Sequence, residues 1–153
     1  MNILIVEDDK YKADAIQDCL NDYLDFPQIT TEDSLSSGLF SLMDSPNLDL
    51  IILDMSMPSF DISEKDPSGG TPESYAGEDF LSQMTLLDIN LPVIVVTQYD
   101  NFGSDEKQIS LLKLSDKLQH DHPKIFKGSI YFKATSNSWK QELIDLMKSQ
   151  GIK

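Results

Sequence analysis

Three apolar runs rich in β-branched residues each end in polar residues able to do chemistry: Ile3–Val6 in Glu7, Asp8 and Asp9, Leu50–Leu53 in Asp54, and Val93–Val96 in Thr97. A weaker run, Ile130 to Lys133, ends in a lysine. If these runs are neighbouring strands, carboxylates, a hydroxyl and an ammonium converge at one sheet edge from distant parts of the chain. Like charges brought together repel, and burying ions is costly unless opposite charge offsets them. A hard divalent cation supplies that charge. Carboxylates with a backbone carbonyl and water suit Mg²⁺, which keeps several waters and takes only one or two carboxylates directly. Glu7, Asp8 and Asp9 also have a plainer reading as the acidic first turn of a helix, and Asp54 as a strand-end cap; three acids in a row beside a buried sheet end, with the other strand ends, favour a metal.

The elements that would position these groups follow from the hydrophobic period. The three runs have the look of strands buried on both faces, as in a parallel sheet. Between them, Ala13, Ile16, Leu20 and Leu24 recur at three and four, as do Leu35, Leu39 and Leu42, and Phe80, Met84 and Leu87. Weaker strands at Gln28 to Thr31 and Ile130 to Lys133 bring the number to five. A last helix from about Trp139 to Ser149 opens with Ser138 and Gln141 in capping-box spacing and carries Leu143, Leu146 and Met147 on one stripe. Alternating strand and helix, repeated five times, predicts an α/β fold: a doubly wound five-stranded parallel sheet of flavodoxin-like type with helices on both faces. Its ligand site lies at the carboxyl ends of the strands. Residues 1–153 read as one domain with two loop insertions, at about 59–76 and 119–128, since the strand and helix pattern resumes after each.

With 153 residues, one compact core suffices. The net charge is −14, and no arginine is present, so the forked side chains that read guanine or clamp phosphodiesters are missing and nucleic-acid recognition is not expected. The one cysteine, Cys19, cannot form an intrachain disulfide and lies next to the apolar stripe of the first helix, as a small packed hydrophobe would. Met1 runs directly into ILIV without a basic stretch or cleavage site, so a cytoplasmic location is expected. No apolar run approaches the ~20 residues of a membrane span. Residues 1–106 hold 22 acids and 3 lysines, whereas 107–153 hold 4 acids and 9 lysines. An acidic centre and a basic face late in the chain are expected. His120 and His122 have ligand-like spacing, but without a third histidine or a cysteine they read as solvated loop residues.

In order along the chain, ILIVEDD, LDMSMP with Asp54 followed four residues later by Pro58, VIVVT, and a lysine closing the fifth strand resemble the receiver domain of two-component response regulators, the CheY-like fold, over about residues 2–150. The resemblance implies that Asp54 is a phosphoacceptor, taking its phosphoryl group from a phosphohistidine on a sensor histidine kinase or histidine phosphotransfer protein, or from a small phosphodonor. It implies Mg²⁺ held by Asp8 directly, by Glu7 through water, by Asp54, and by the backbone carbonyl of Ser56, with Asp9 just outside. Lys133 would pair with a phosphoryl oxygen and Thr97 would move onto another. Phosphoryl transfer depends mainly on positioning and on cations at the equatorial oxygens, which agrees with this set.

The chain also departs from the pattern. Ala134 follows the lysine where proline is usual. Gln98 stands in place of a small residue and Tyr99 comes next, so both, with Asp9, modulate access to the acceptor, and slow loss of the phosphoryl group is expected. The switch aromatic, usually three residues before the lysine, is Ile130; Tyr131 is the aromatic available for that role.

The function implied is that of a stand-alone phosphoryl-accepting switch, a signalling domain that catalyses only its own phosphorylation and dephosphorylation. Its phosphorylated state would alter binding to a downstream protein or a second copy through about residues 104–149. The excess of lysine there predicts an acidic partner surface. No output domain is expected after Lys153. Two alternatives stay open: a phosphorelay intermediate or phosphate sink without conformational output, and an aspartyl-nucleophile phosphatase, against which Ser56 stands where a leaving-group acid would be needed.

Overall fold

A computed structural model, which describes residues 1–57, 76–102 and 109–152, turns the apolar runs into strands. In chain order come β1 (Asn2–Val6), α1 (Lys10–Tyr23), β2 (Gln28–Glu32), α2 (Leu35–Asp44), β3 (Leu50–Leu53), α3 (Ala76–Leu86) and β4 (Val93–Thr97). There follow a short antiparallel pair, β5 (Asn101–Phe102) and β6 (Ile109–Ser110), then α4 (Leu111–Asp121), β7 (Phe126–Tyr131) and α5 (Ser138–Ser149). The main sheet is parallel throughout, in the order β2-β1-β3-β4-β7. The expected fold class is therefore the observed one. Strand order reverses at β1, which opens a crevice outside the carboxyl ends of β1 and β3.

Period-two alternation sorts the strand residues between two cores. Leu4, Val6, Ile51, Leu53, Val93 and Val95 face α2, α3 and α4, against Leu42, Phe80, Met84 and Leu114. Ile3, Ile5, Leu50, Ile52, Ile94 and Val96 face α1 and α5, against Ile16, Leu20, Leu143 and Met147. Each such side chain, removed from water, contributes about 1.5–3 kcal/mol. Cys19 is buried in the second core, as its place beside the stripe predicts. Among the described residues no helix is long and apolar enough to cross a membrane.

Several local expectations are corrected. The stretch 119–128 is not a loop insertion: α4 continues to Asp121 and β7 begins at Phe126. Its Pro, His and Gly content hides a strand that bulges at Lys127, because Phe126 pairs with Val93 while Gly128, at φ +154°, pairs with Ile94. The strand also ends at Tyr131, before Lys133. His122 is not solvated; it caps α4, is buried, and its Nδ1 lies 2.8 Å from Thr85 Oγ1. The capping box of α5 does not form: Asn137 is the N-cap without a side-chain bond, and Gln141 donates instead to Asp145 at 2.8 Å. Leu87 lies past the end of α3 and is half exposed. Nothing in the sequence pattern singled out the β5–β6 pair. The 59–76 insertion, except for Ala76 at the start of α3, lies outside the described residues, as do Pro58 and residues 104–108 of the expected output face.

Candidate functional site

The backbone around the β1–β3 crevice is tightly joined. Asp54 N–H donates to the Val6 carbonyl at 3.0 Å, and Glu7 N–H to the Glu32 carbonyl at 2.8 Å, so the ends of β1, β2 and β3 are held in register beyond the last paired residues. Glu7 and Asp54 therefore point into the crevice while buried to 3% exposure. Asp8, one residue on, is exposed. One carboxylate oxygen from each of Glu7, Asp8 and Asp54 lies within 4.8 Å of the others.

Asp9 has a structural task as well. It is the N-cap of α1, its Oδ1 accepting from Lys12 N–H at 3.1 Å, and its own N–H donates to Glu7 Oε1 at 3.0 Å. An aspartate cap of this kind satisfies an otherwise orphaned helix donor. The cap also sets the direction in which α1 leaves the strand.

That direction brings in a residue that sequence reasoning missed. Lys12 is completely buried, with Nζ 2.5 Å from Glu7 Oε2 and 3.1 Å from Asp54 Oδ1. Glu7 Oε2 and Lys12 Nζ form a buried ion pair. The signal was present: Lys12, Ile16, Cys19 and Leu20 share helical spacing, so the lysine lies on the buried stripe of α1. Asp54 Oδ1 also accepts from Met55 N–H at 2.9 Å, which leaves Oδ2 as the acceptor oxygen without a hydrogen bond among the described residues.

Burial pushes the Glu7 carboxyl up to about 8, with the Asp54 charge adding to the rise and Lys12 opposing it. Burial likewise raises Asp54, against the pull of Lys12. One ammonium thus does not neutralise this pocket. The hard oxygen donors, three converging carboxylates against one ammonium, fit a divalent cation such as Mg²⁺.

A pH dependence follows for the metal-free protein, in which Glu7 faces Asp54, Lys12, Asp8 and Asp9. The folded chain holds the Glu7 proton more tightly than the unfolded chain, so its contribution to stability is fully present below about 4.5 and is lost as pH rises through about 8. Thermal unfolding in chelator should show the midpoint falling across that window, and saturating Mg²⁺ should flatten the fall. A midpoint that rises over the same window would contradict this.

The remaining expected residues are placed less uniformly. Thr97 is buried at the end of β4; its hydroxyl accepts from Tyr99 N–H at 3.2 Å and its carbonyl from Phe132 N–H at 2.8 Å. Gln98 and Tyr99 are exposed beyond it. Lys133 is exposed, with no ion pair among the described residues, and the bond to Ala134 is trans. Ile130 is buried in the core and Phe132 packs on Trp139 with centroids 4.9 Å apart, while Tyr131 turns outward. Ser56, half buried, follows Asp54 in the loop. On the basic face, Lys117 pairs with Glu78 at 2.6 Å and Lys140 lies 5.8 Å from the Trp139 centroid.

No protein-family model matches the chain. Among curated proteins, it is 31% identical over 144 residues to the Detocs response regulatory protein DtcB of Enterobacter cloacae (strain JD6301), covering 94% of this chain and 96% of that one. Among solved structures, a response regulator receiver domain protein from Clostridium thermocellum superposes with a TM-score of 0.63 at 16% identity, covering 98% and 96% of the two chains. The Mn²⁺-bound form of response regulator Rcp1 gives a TM-score of 0.63 at 17% identity, covering 96% and 91%. Both structural likenesses concern the fold.

Proposed function

The chain belongs to the response regulator receiver family, and from that premise we propose that Asp54 accepts a phosphoryl group from a phosphohistidine donor with Mg²⁺, the phosphorylated state altering binding to a partner protein. The observation that carries this reading is the convergence of Glu7, Asp8 and Asp54 at the β1–β3 crevice. Glu7 and Asp8, with Asp54 itself and the Ser56 carbonyl, would hold the ion, which when bound supplies positive charge for the transferred group. The chain's own residues do the rest. Met55 N–H and Lys12 hold Asp54 Oδ1, fixing the carboxylate so that Oδ2 faces an incoming phosphorus. Oδ2 forms the new bond as the donor's phosphorus–nitrogen or phosphorus–oxygen bond breaks, its electron pair leaving with the donor. Thr97 lies at the neighbouring strand end, where its hydroxyl can exchange the Tyr99 N–H for a phosphoryl oxygen. Lys133, exposed, must swing inward to reach one. Tyr99 and Gln98 line the approach.

A sensor histidine kinase or histidine phosphotransfer protein is the donor this chemistry calls for. The output surface would be the α4, β7 and α5 face, where Leu112 and Tyr131 are exposed among the lysines. A second reading, a phosphorelay intermediate or phosphate sink, is favoured by one observation: the switch position is Ile130, fixed in the core, and Tyr131 already points to solvent. Beryllofluoride, a phosphoryl analogue, separates the two. With Mg²⁺ it should change the amount of partner captured by the full chain. Unchanged capture by a chain that accepts phosphate would assign it to the second reading.

A further inference from the structure

A lysine with no exposure at all is rarely found unless it is paired. Lys12 lies on the buried stripe of α1 shared with Ile16, Cys19 and Leu20, where apolar residues are the usual occupants. It serves the acids: the ammonium is 2.5 Å from Glu7 and 3.1 Å from Asp54, two of the three carboxylates that converge in the crevice. The backbone fixes it there, because Lys12 N–H is tied to the Asp9 cap and Asp9 N–H is tied to Glu7. Lys133, by contrast, is exposed. Lys12 is therefore the buried cation of the pocket among the described residues.

We propose that Lys12 is a resident counter-cation that competes with the divalent ion for Glu7 and Asp54, weakening metal binding while holding the carboxylates together in its absence. This rests on the reading of the crevice as a divalent-ion site. The physical reason is direct. A unit positive charge within ion-pair distance of two ligand oxygens opposes a second cation at those same oxygens, and does so strongly where water is excluded. Metal entry then requires Glu7 Oε2 or Asp54 Oδ1 to be shared with the ammonium or released by it.

The test uses the full chain and Mg²⁺ alone. Calorimetric titration should find that Lys12→Met, which keeps the length and apolar stem of the side chain, binds Mg²⁺ about tenfold more tightly than the unaltered chain or better. Its thermal midpoint should fall in chelator and recover with Mg²⁺ by more than the unaltered chain's does. Affinities equal within about twofold, or weaker in the variant, would overturn the proposal. Should Lys12→Met not fold in chelator, the unaltered chain still decides the matter. With ¹³C-labelled lysine, the Lys12 Cε resonance should move on Mg²⁺ saturation while those of the exposed lysines Lys113 and Lys124 do not; a stationary Lys12 signal would overturn it. Equal Mg²⁺ binding with Asp54 still phosphorylated by acetyl phosphate would remove the role of Lys12 alone. Mg²⁺ binding to neither chain, with no phosphorylation, would remove the functional reading as well.

Discussion

Asp54→Asn should reduce phosphoryl uptake from acetyl phosphate by roughly three orders of magnitude or more, to background, as expected when a nucleophile is removed from a site whose parts act together. The substitution is nearly isosteric, and the amide oxygen can still accept the Met55 N–H that now binds Oδ1 at 2.9 Å. What it removes is the anionic oxygen that must attack phosphorus. Glu7 cannot take over, because its Oε2 lies against Lys12 and its Oε1 accepts from Asp9 N–H. Asp8 is exposed and free to hold metal but has no such buried support. Intact-mass measurement over time gives the rate, and circular dichroism should find the fold retained, since charged Asp54 is itself disfavoured by burial. Uptake at the unaltered rate would move the acceptor elsewhere.

Gly77→Ala should be the most damaging small substitution near the site. A methyl at Gly77 would stand 2.6 Å from the Asp54 carbonyl oxygen and 2.9 Å from Met55 Cα, and Gly77 N–H donates to the Met55 carbonyl at 3.1 Å. The first turn of α3 thus lies directly on the backbone that carries the acceptor. Backbone cannot rotate aside as a side chain can. Overpacking of this kind costs about 1–3 kcal/mol, which at this size lowers the thermal midpoint by about 2–12 °C. It should also slow phosphorylation, because the strand end and the Ser56 carbonyl must shift. Gly38→Ala is the informative control: its methyl would meet Val6 and Phe80 side-chain atoms rather than the acceptor's backbone. A midpoint for Gly77→Ala within error of the unaltered chain would contradict the packing described.

The central strands and their acidic ends were legible because a parallel sheet buries both faces of its middle strands, writing them as unbroken apolar runs, and because polar residues closing such runs have few structural reasons to be there. The doubly wound parallel sheet follows from alternation and handedness, which leave the order of its strands open. Lys12 is hidden in the sequence because a lysine reads as surface unless its helical spacing is set against the buried stripe. Asp9 reads as a spare carboxylate, although its position ahead of a helix equally marks a cap. His122 reads as a loop residue in the sequence because its burial and its bond to Thr85 depend on α3 and α4 meeting, which no local pattern reveals. β7 began earlier than expected since a bulge at Lys127 breaks the alternation that announces a strand. The direction of Lys133 was equally unreadable: the strand stops at Tyr131, so the lysine is set by the following turn and not by the pleat.

Mapping the phosphorylated residue tests the central claim most directly. The chain is incubated with acetyl phosphate and Mg²⁺, the acyl phosphate is trapped by borohydride reduction, and the modified residue is located by peptide mass spectrometry, with a parallel reaction in chelator. The expected result is a single modified position, Asp54, formed in Mg²⁺ and essentially absent in chelator. Modification at another residue, or at Asp54 to the same extent without a divalent ion, would contradict the account.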